Sequence, residues 1–312
     1  MVRTRVEPDA AVTYACQQCG AGLAFEGVRT ETCPYCASPN FVERPHAVGQ
    51  PDPQLAIAFA GDAAWARRQL DRWLGGRTMF ADPALRRAKV EDLRGVYLPA
   101  YLYSAVARTE YTVSIGEHYT ETETYTTTDA EGKTRTQTRT VTRTEYRPLA
   151  GQHLGYVTDV IVSASAALDN ATLAAIEPYD LRRLRRFSPA LVAGWIHEEF
   201  SRDADECRRM SRGEAVDRTG DRLRAFMPGD GFSDLQWRTT VEWETLDPIL
   251  VPVWVFAVRY RAEKPPLRVV INGQTGKIAG KVPLAWWKVA LAVLVVAGLI
   301  AAIWALLHGG RP

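Results

Sequence analysis

The chain is poor in the residues that most enzymes use to bind reactive metals or move protons. Its 312 residues include five histidines, five cysteines and four methionines. The histidines, at 46, 118, 153, 197 and 308, share no ligand spacing, and His197-Glu198-Glu199 lacks the second histidine of a HExxH zinc site. There is no Gly-x-Ser-x-Gly elbow and no Gly-rich nucleotide fingerprint. Carboxylates such as Asp203 and Glu206 sit among arginines, as in a helix-surface ion-pair network. These absences argue for a protein that is not an enzyme, with no small-molecule substrate evident. A net charge of +2 also lacks the basic excess of a general nucleic-acid binder. The first residues carry no apolar run, so no secretory signal is expected. With 46% hydrophobic and 24% charged residues, the composition is that of a folded globular chain.

Four of the five cysteines form two close pairs, Cys16-Gln-Gln-Cys19 and Cys33-Pro-Tyr-Cys36, 13 residues apart. Each Cys-x2-Cys turn lets two sulfurs reach one ion, and two turns complete a tetrahedral set. The intervening segment offers a short strand around 23–25, a turn at Gly27 and a return strand, the sequence form of a zinc ribbon. Such a closed site is structural, stabilising a small module by on the order of 10 kcal/mol. The predicted ligands of one structural Zn2+ are therefore Cys16, Cys19, Cys33 and Cys36. A redox reading is weaker, because no βαβ pattern surrounds the pairs. Charges near the ribbon are few (Glu26, Arg29, Glu31, Glu43, Arg44), which disfavours contact with nucleic acid. Cys207 reads as a buried, inert thiol on a helical face with Val192, Ile196 and Phe200.

One long apolar run exists. Residues 289–307 are 19 positions without a charge, about 28 Å as a helix and close to a bilayer core of roughly 30 Å. Trp286, Trp287 and Trp304 stand near its ends, where interfacial aromatics belong. Lys264, Arg268, Lys277, Lys281 and Lys288 precede the run and only Arg311 follows it. The positive-inside rule then predicts a cytoplasmic body and an external C-terminus.

Between ribbon and anchor the pattern is mixed. A Pro-rich linker spans 45–53. Asp62 caps a predicted helix through Ala63, Ala66, Leu70 and Trp73 that stops at Gly75-Gly76, and Asp82-Pro83 opens a second, short one. Strands are expected at 96–107 and 250–258, related by Tyr-Leu-Pro-Ala-Tyr101 and Leu-Val-Pro-Val-Trp254. Threonine at every second position from 120 to 128 and from 134 to 144 predicts a long polar hairpin turning at 129–133. In that register Glu123 meets Arg139, and Glu121 lies near Arg139 and Arg143. A short helix is expected at 168–176 and a longer one from Pro189 through Phe200, followed by a solvated, ion-paired stretch over 202–224. The basic run 181–186 suits either lipid headgroups or a solvated loop. Strand 267–271, Asn272-Gly273 and strand 277–279 form a tight hairpin. Its Gly-Gln-Thr-Gly-Lys277 is a turn, because the glycine spacing is wrong for a phosphate loop.

The order of Cys33-Pro-Tyr-Cys36, Trp73-Leu-Gly-Gly-Arg77, Leu93-Arg-Gly-Val-Tyr-Leu-Pro99, Val251-Pro-Val-Trp-Val-Phe256, Asn272-Gly-Gln-Thr-Gly-Lys277 and Pro283-Leu-Ala-Trp-Trp-Lys288 resembles a bacterial family. Its members are labelled TFIIB-type zinc ribbon-containing, or primosomal protein N′-like, membrane proteins. The resemblance implies a link to phage-shock-type envelope stress, where a membrane protein recruits a PspA-like partner. No helicase motif accompanies the replication label. The expected architecture is α+β: a zinc ribbon at 1–44, a linker at 45–54 and an antiparallel β-rich cytoplasmic body with helices at 55–282. That body includes the long Thr-rich hairpin at 109–147, and a single-pass cell-membrane anchor occupies 283–308. The expected role is an adaptor, with membrane-tethered nucleic-acid binding as the alternative.

Overall fold

A computed structural model describes residues 12–25, 32–45, 50–76, 80–128, 134–261, 263–264 and 266–308. The chain opens with three short strands, β1 (Val12–Cys16), β2 (Gly22–Phe25) and β3 (Phe41–Pro45). Then come β4 (Leu55–Ala56), helix α1 (Ala63–Gly75) and a 3-10 turn at Pro83–Arg87. Two long strands follow, β5 (Lys89–Thr128) and β6 (Thr134–Ser163). The next stretch holds α2 (Asn170–Ile176), a 3-10 turn at Leu181–Arg183, β7 (Arg185–Arg186), α3 (Pro189–Val192), β8 (Ile196–Glu198) and α4 (Ala204–Phe226). The last elements are β9 (Gly231–Arg259), β10 (Leu267–Asn272), β11 (Ile278–Gly280) and α5 (Trp286–His308). The fold is thus α+β and rich in sheet. Its residues group into two compact units, one of Met1–Tyr101, Ile161–Cys207 and Asp247–Pro312, the other of Leu102–Val160 and Arg208–Leu246.

In the first unit the strand order is β11-β10-β9-β5-β8-β2-β1-β3, with β4 held by β7 and β9. The registered pairs are antiparallel except β5 with β8 and β4 with β9. Helix α1 starts where the Asp62 carboxylate accepts from Trp65 N–H at 2.7 Å. It places Ala66 and Leu70 against Trp254, Phe256 and Val258 of β9 and Val269 and Ile271 of β10. Burial of those apolar faces supplies the main driving force for this layer. A second cluster joins Ala56, Tyr97, Val192 and Leu250, with Trp195 and Phe59 packed against it. Phe59 stacks on Trp195 at 4.1 Å and meets Trp254 edge-on at 5.0 Å. Gly95 is required there, since a Cβ would come within 2.3 Å of the Trp195 ring.

The β10–β11 connection is the turn expected from Gly-Gln-Thr-Gly-Lys. Asn272 is fully buried, and its side-chain oxygen accepts from Gln274 N–H at 2.8 Å and Thr275 N–H at 2.9 Å. Its amide nitrogen donates to the Ile176 and Pro178 carbonyls. Gly276 takes φ +79°, where glycine carries no Cβ penalty.

The helix predicted from Pro189 to Phe200 does not exist. After one turn, α3 ends at Val192, and Gly194 at φ +78° reverses the chain. Ile196–Glu198 is then strand β8, between β2 and β5, because ladder bonds on both sides outweigh three residues of helical propensity. Cys207 therefore shares no helical face with Ile196; it lies on α4 and is buried as expected, though not on the face from which that was inferred. The short helix begins at Asn170, not 168, with Asp169 as its cap. The basic run 181–186 is a 3-10 turn plus an edge strand, with Arg182 and Arg183 paired to Asp180.

In the second unit the two Thr-rich strands pair. Arg139 meets Glu123 at 2.9 Å and Arg143 meets Glu121 at 2.8 Å, with Arg143 also on Glu123. The turn expected at 129–133 lies outside the described residues, as does the Gly27 turn. Helix α4 is not wholly solvated. It buries Cys207, Ser211, Ala215, Thr219 and Leu223, one residue per turn.

Helix α5 is long and apolar enough to cross a membrane. Trp286–Trp304 has a mean hydropathy of 2.2, and none of it is buried in protein. Its base is tied to the first unit by Asp82 N–H to Pro283 O and Ala285 N–H to Phe80 O, both 2.9 Å, and by Lys288 Nζ to Ala81 O.

Candidate metal centre

Cys16 ends β1, and the short loop to β2 carries Cys19; Cys33 and Cys36 occupy the loop before β3. The two loops repeat one backbone pattern. Cys16 N–H donates to Ala21 O and Cys33 N–H to Ser38 O, at 2.9 and 2.8 Å. Gly20 N–H returns to Cys16 O and Ala37 N–H to Cys33 O, at 2.9 and 2.8 Å. Closing each loop requires a left-handed residue, Gly20 at φ +77° and Ala37 at φ +57°. The repeat turns both cysteine pairs inward.

The four sulfurs lie within 4.8 Å of one another. Cys16 Sγ is 3.5 Å from Cys36 Sγ, and Cys19 Sγ is 3.6 Å from Cys33 Sγ. All are free thiols. Four sulfurs about 2.3 Å from one ion stand roughly 3.8 Å apart in a tetrahedron, so this set fits a single metal ion with no vacant position. Disulfide sulfurs would be about 2 Å apart. The electrostatics agree. A hydrogen bond from Cys33 draws the Cys19 thiol down to about 5, and that bond together with burial pushes Cys33 up. Burial raises Cys36 to about 11. Without a cation, then, the cage does not ionise fully. A divalent ion supplies the compensating charge.

The side chain between the second pair of ligands points into the body. Tyr35 is 3% exposed, and its hydroxyl donates to Glu198 Oε2 at 2.7 Å. Glu198, 1% exposed on β8, accepts a second bond from Ser165 Oγ at 2.6 Å. Ser165 Oγ in turn accepts from the N–H groups of Ala167 and Leu168, each at 2.9 Å. Arg268 of β10 donates to Tyr35 O at 2.8 Å and Ala167 O at 2.6 Å, with its guanidinium 5.5 Å from the Tyr35 ring centre. Burial pushes the Glu198 carboxyl up to about 7, against the opposing hydrogen bonds from Ser165 and Tyr35. Burial and the neighbouring carboxyl also raise the Tyr35 phenol.

The four predicted ligands are thus brought together, whereas no sequence signal singled out Tyr35, Glu198, Ser165 or Arg268 as a unit. Glu198 was visible only as part of a failed HExxH motif.

No family model matches the chain, and no solved structure matches it. It is 22% identical over 248 residues to the uncharacterized protein YdjG of Bacillus subtilis (strain 168), a match covering 76% of this chain and 66% of that protein. The chain therefore spans a little under two thirds of that relative's length.

Proposed function

We propose that this chain is a single-pass protein of the bacterial cell membrane that recruits a protein partner, of the PspA-like class, as a non-enzymatic adaptor. The observation that carries this reading is the presence in one unit of a closed four-sulfur cage and an apolar helix of which nothing from Trp286 to Trp304 is buried. An all-thiolate tetrahedral set favours Zn2+ among divalent ions of the cell, and with every position filled by sulfur the ion is structural. Three antiparallel strands, β1 to β3, around two cysteine loops support the zinc-ribbon assignment. Lys264, Lys277, Lys281 and Lys288 before the span, against Arg311 after it, support a cytoplasmic body and an external C-terminus. Reduced thiolates are at home in that compartment.

The test is affinity purification of the full chain from native membranes in mild detergent, with Cys33→Ser alongside and zinc measured by mass spectrometry. The expected result is one zinc per chain and a stoichiometric cytosolic partner that the variant loses. A preparation with no partner overturns the adaptor reading. One carrying nucleic acid released by salt favours the membrane-tethered nucleic-acid binder instead.

A further inference from the structure

We infer that the metal site is a latch on the body: metal occupancy controls the order of β8 and, through it, the aromatic cluster around Trp195. This rests on the four-cysteine metal reading and extends it. Three connections cross from the cysteine loops to the body. Strand β2 pairs with β8 at Leu23↔Glu198, Ala24↔His197 and Phe25↔Ile196, and Glu199 N–H extends this to Gly22 O at 2.9 Å. Tyr35 reaches Glu198 from between Cys33 and Cys36, so a metal ion bound by those two sulfurs would fix its position from both sides. Arg268 holds the Tyr35 carbonyl and the Ala167 carbonyl together.

On its far side β8 meets β5 through Val96↔Ile196 and Tyr97↔His197. Trp195, immediately before β8, stacks on Phe59 and stands edge-on to Trp254 at 5.6 Å and Tyr97 at 6.2 Å. A strand of three residues has no independent stability; β8 persists only while both neighbours hold it. Removing the ion frees both cysteine loops and withdraws Tyr35 from Glu198. That buried carboxyl then keeps a single side-chain donor, Ser165, in a place water does not reach. An under-bonded buried acceptor is costly, and the relief available is to open the β2–β8 seam. Metal loss therefore propagates from Cys33 and Cys36 to Tyr35, Glu198 and Trp195, and the largely buried segments 163–168 and 195–200 differ in order between the loaded and empty states.

The experiment uses the full chain in detergent, loaded with Co2+ as a spectroscopic probe and then stripped with a chelator, with hydrogen exchange followed by mass spectrometry. Peptides covering 163–168 and 195–200 are expected to lose about tenfold or more protection on stripping, within the usual range of site-to-site coupling. In Tyr35→Phe, Co2+ still gives a tetrathiolate spectrum. Stripping it then changes those peptides less than about threefold, and by reciprocity its Co2+ affinity falls by the lost coupling factor. Unchanged exchange at 195–200 on stripping the wild-type chain overturns the latch while leaving the metal site intact. This arm decides the question even if the variant does not fold. If wild-type Co2+ shows no tetrathiolate absorption, the metal reading itself fails, and the latch with it.

Discussion

Glu198→Gln should make stability less sensitive to pH, and the size of the effect follows from its surroundings. The carboxyl is 1% exposed and titrates near 7 in the folded chain because burial opposes its charge. In the unfolded chain it titrates near the ordinary value of about 4.3. Between those values the folded state binds more protons than the unfolded state, so stability falls as pH rises. At pH 6 a group of pKa 7 is about nine-tenths protonated, and at pH 8 about one-tenth. Integrating the difference gives a loss of about 1.4 kcal/mol from pH 6 to pH 8 attributable to Glu198. A glutamine keeps one of the two acceptor oxygens that Tyr35 and Ser165 use and presents an NH2 donor at the other, and it has no proton to lose. The assay is urea unfolding of the detergent-solubilised chain at pH 6, 7 and 8 with excess Zn2+, so that metal release does not enter. The wild type is expected to lose about 1.4 kcal/mol more than the variant across that window. Parallel stability profiles would refute the reasoning, because Glu198 would then hold one protonation state throughout.

Three further changes test other parts of the fold. Asn272→Ala removes four hydrogen bonds and leaves the buried Ile176 carbonyl without its donor, so unfolding stability in urea should fall by about 2–4 kcal/mol. Gly20→Ala meets no atom within 4 Å, so its effect is purely that of the left-handed backbone, about 1–2 kcal/mol; chelator competition should show Zn2+ affinity weakened roughly 5- to 30-fold, while Ala37→Gly at the matching position leaves it equal or tighter. Truncation after Lys288 keeps the contacts to Phe80 and Ala81 and should move the chain from the membrane pellet to the supernatant on high-speed centrifugation, with Zn2+ still bound.

The cysteine set was legible because its chemistry is local. Two Cys-x2-Cys loops specify four ligands without reference to the rest of the chain, and the sulfurs do converge within 4.8 Å. The same holds for α1, whose Asp62 cap and Gly75-Gly76 stop are short-range signals, and for the apolar run that becomes α5. Where the decisive contacts are non-local, sequence reasoning failed. Residues 196–198 match a helical period with Val192 and Phe200, yet their backbone is claimed by β2 on one side and β5 on the other. Helix α4 hid its buried face because four of the five residues on it, Cys207, Ser211, Ala215 and Thr219, are small or polar rather than plainly hydrophobic.

The misassigned segment is also the one that joins the cysteine loops to the body, and the two facts share a cause. Glu198 would be unfavourable on the buried face of a helix, where no donor is guaranteed, and a sequence reading sends it to solvent. As the last residue of β8 it instead points where Tyr35 and Ser165 both present hydroxyls, at 2.7 and 2.6 Å. Each partner is distant in sequence, and Tyr35 stands between Cys33 and Cys36 with its carbonyl held by Arg268. A carboxyl buried at such cost is tolerated only where its donors are held in place. In this chain one of those donors lies between two cysteines of the four-sulfur cluster, so that cluster and the strand that sequence periodicity misread form one connected structure.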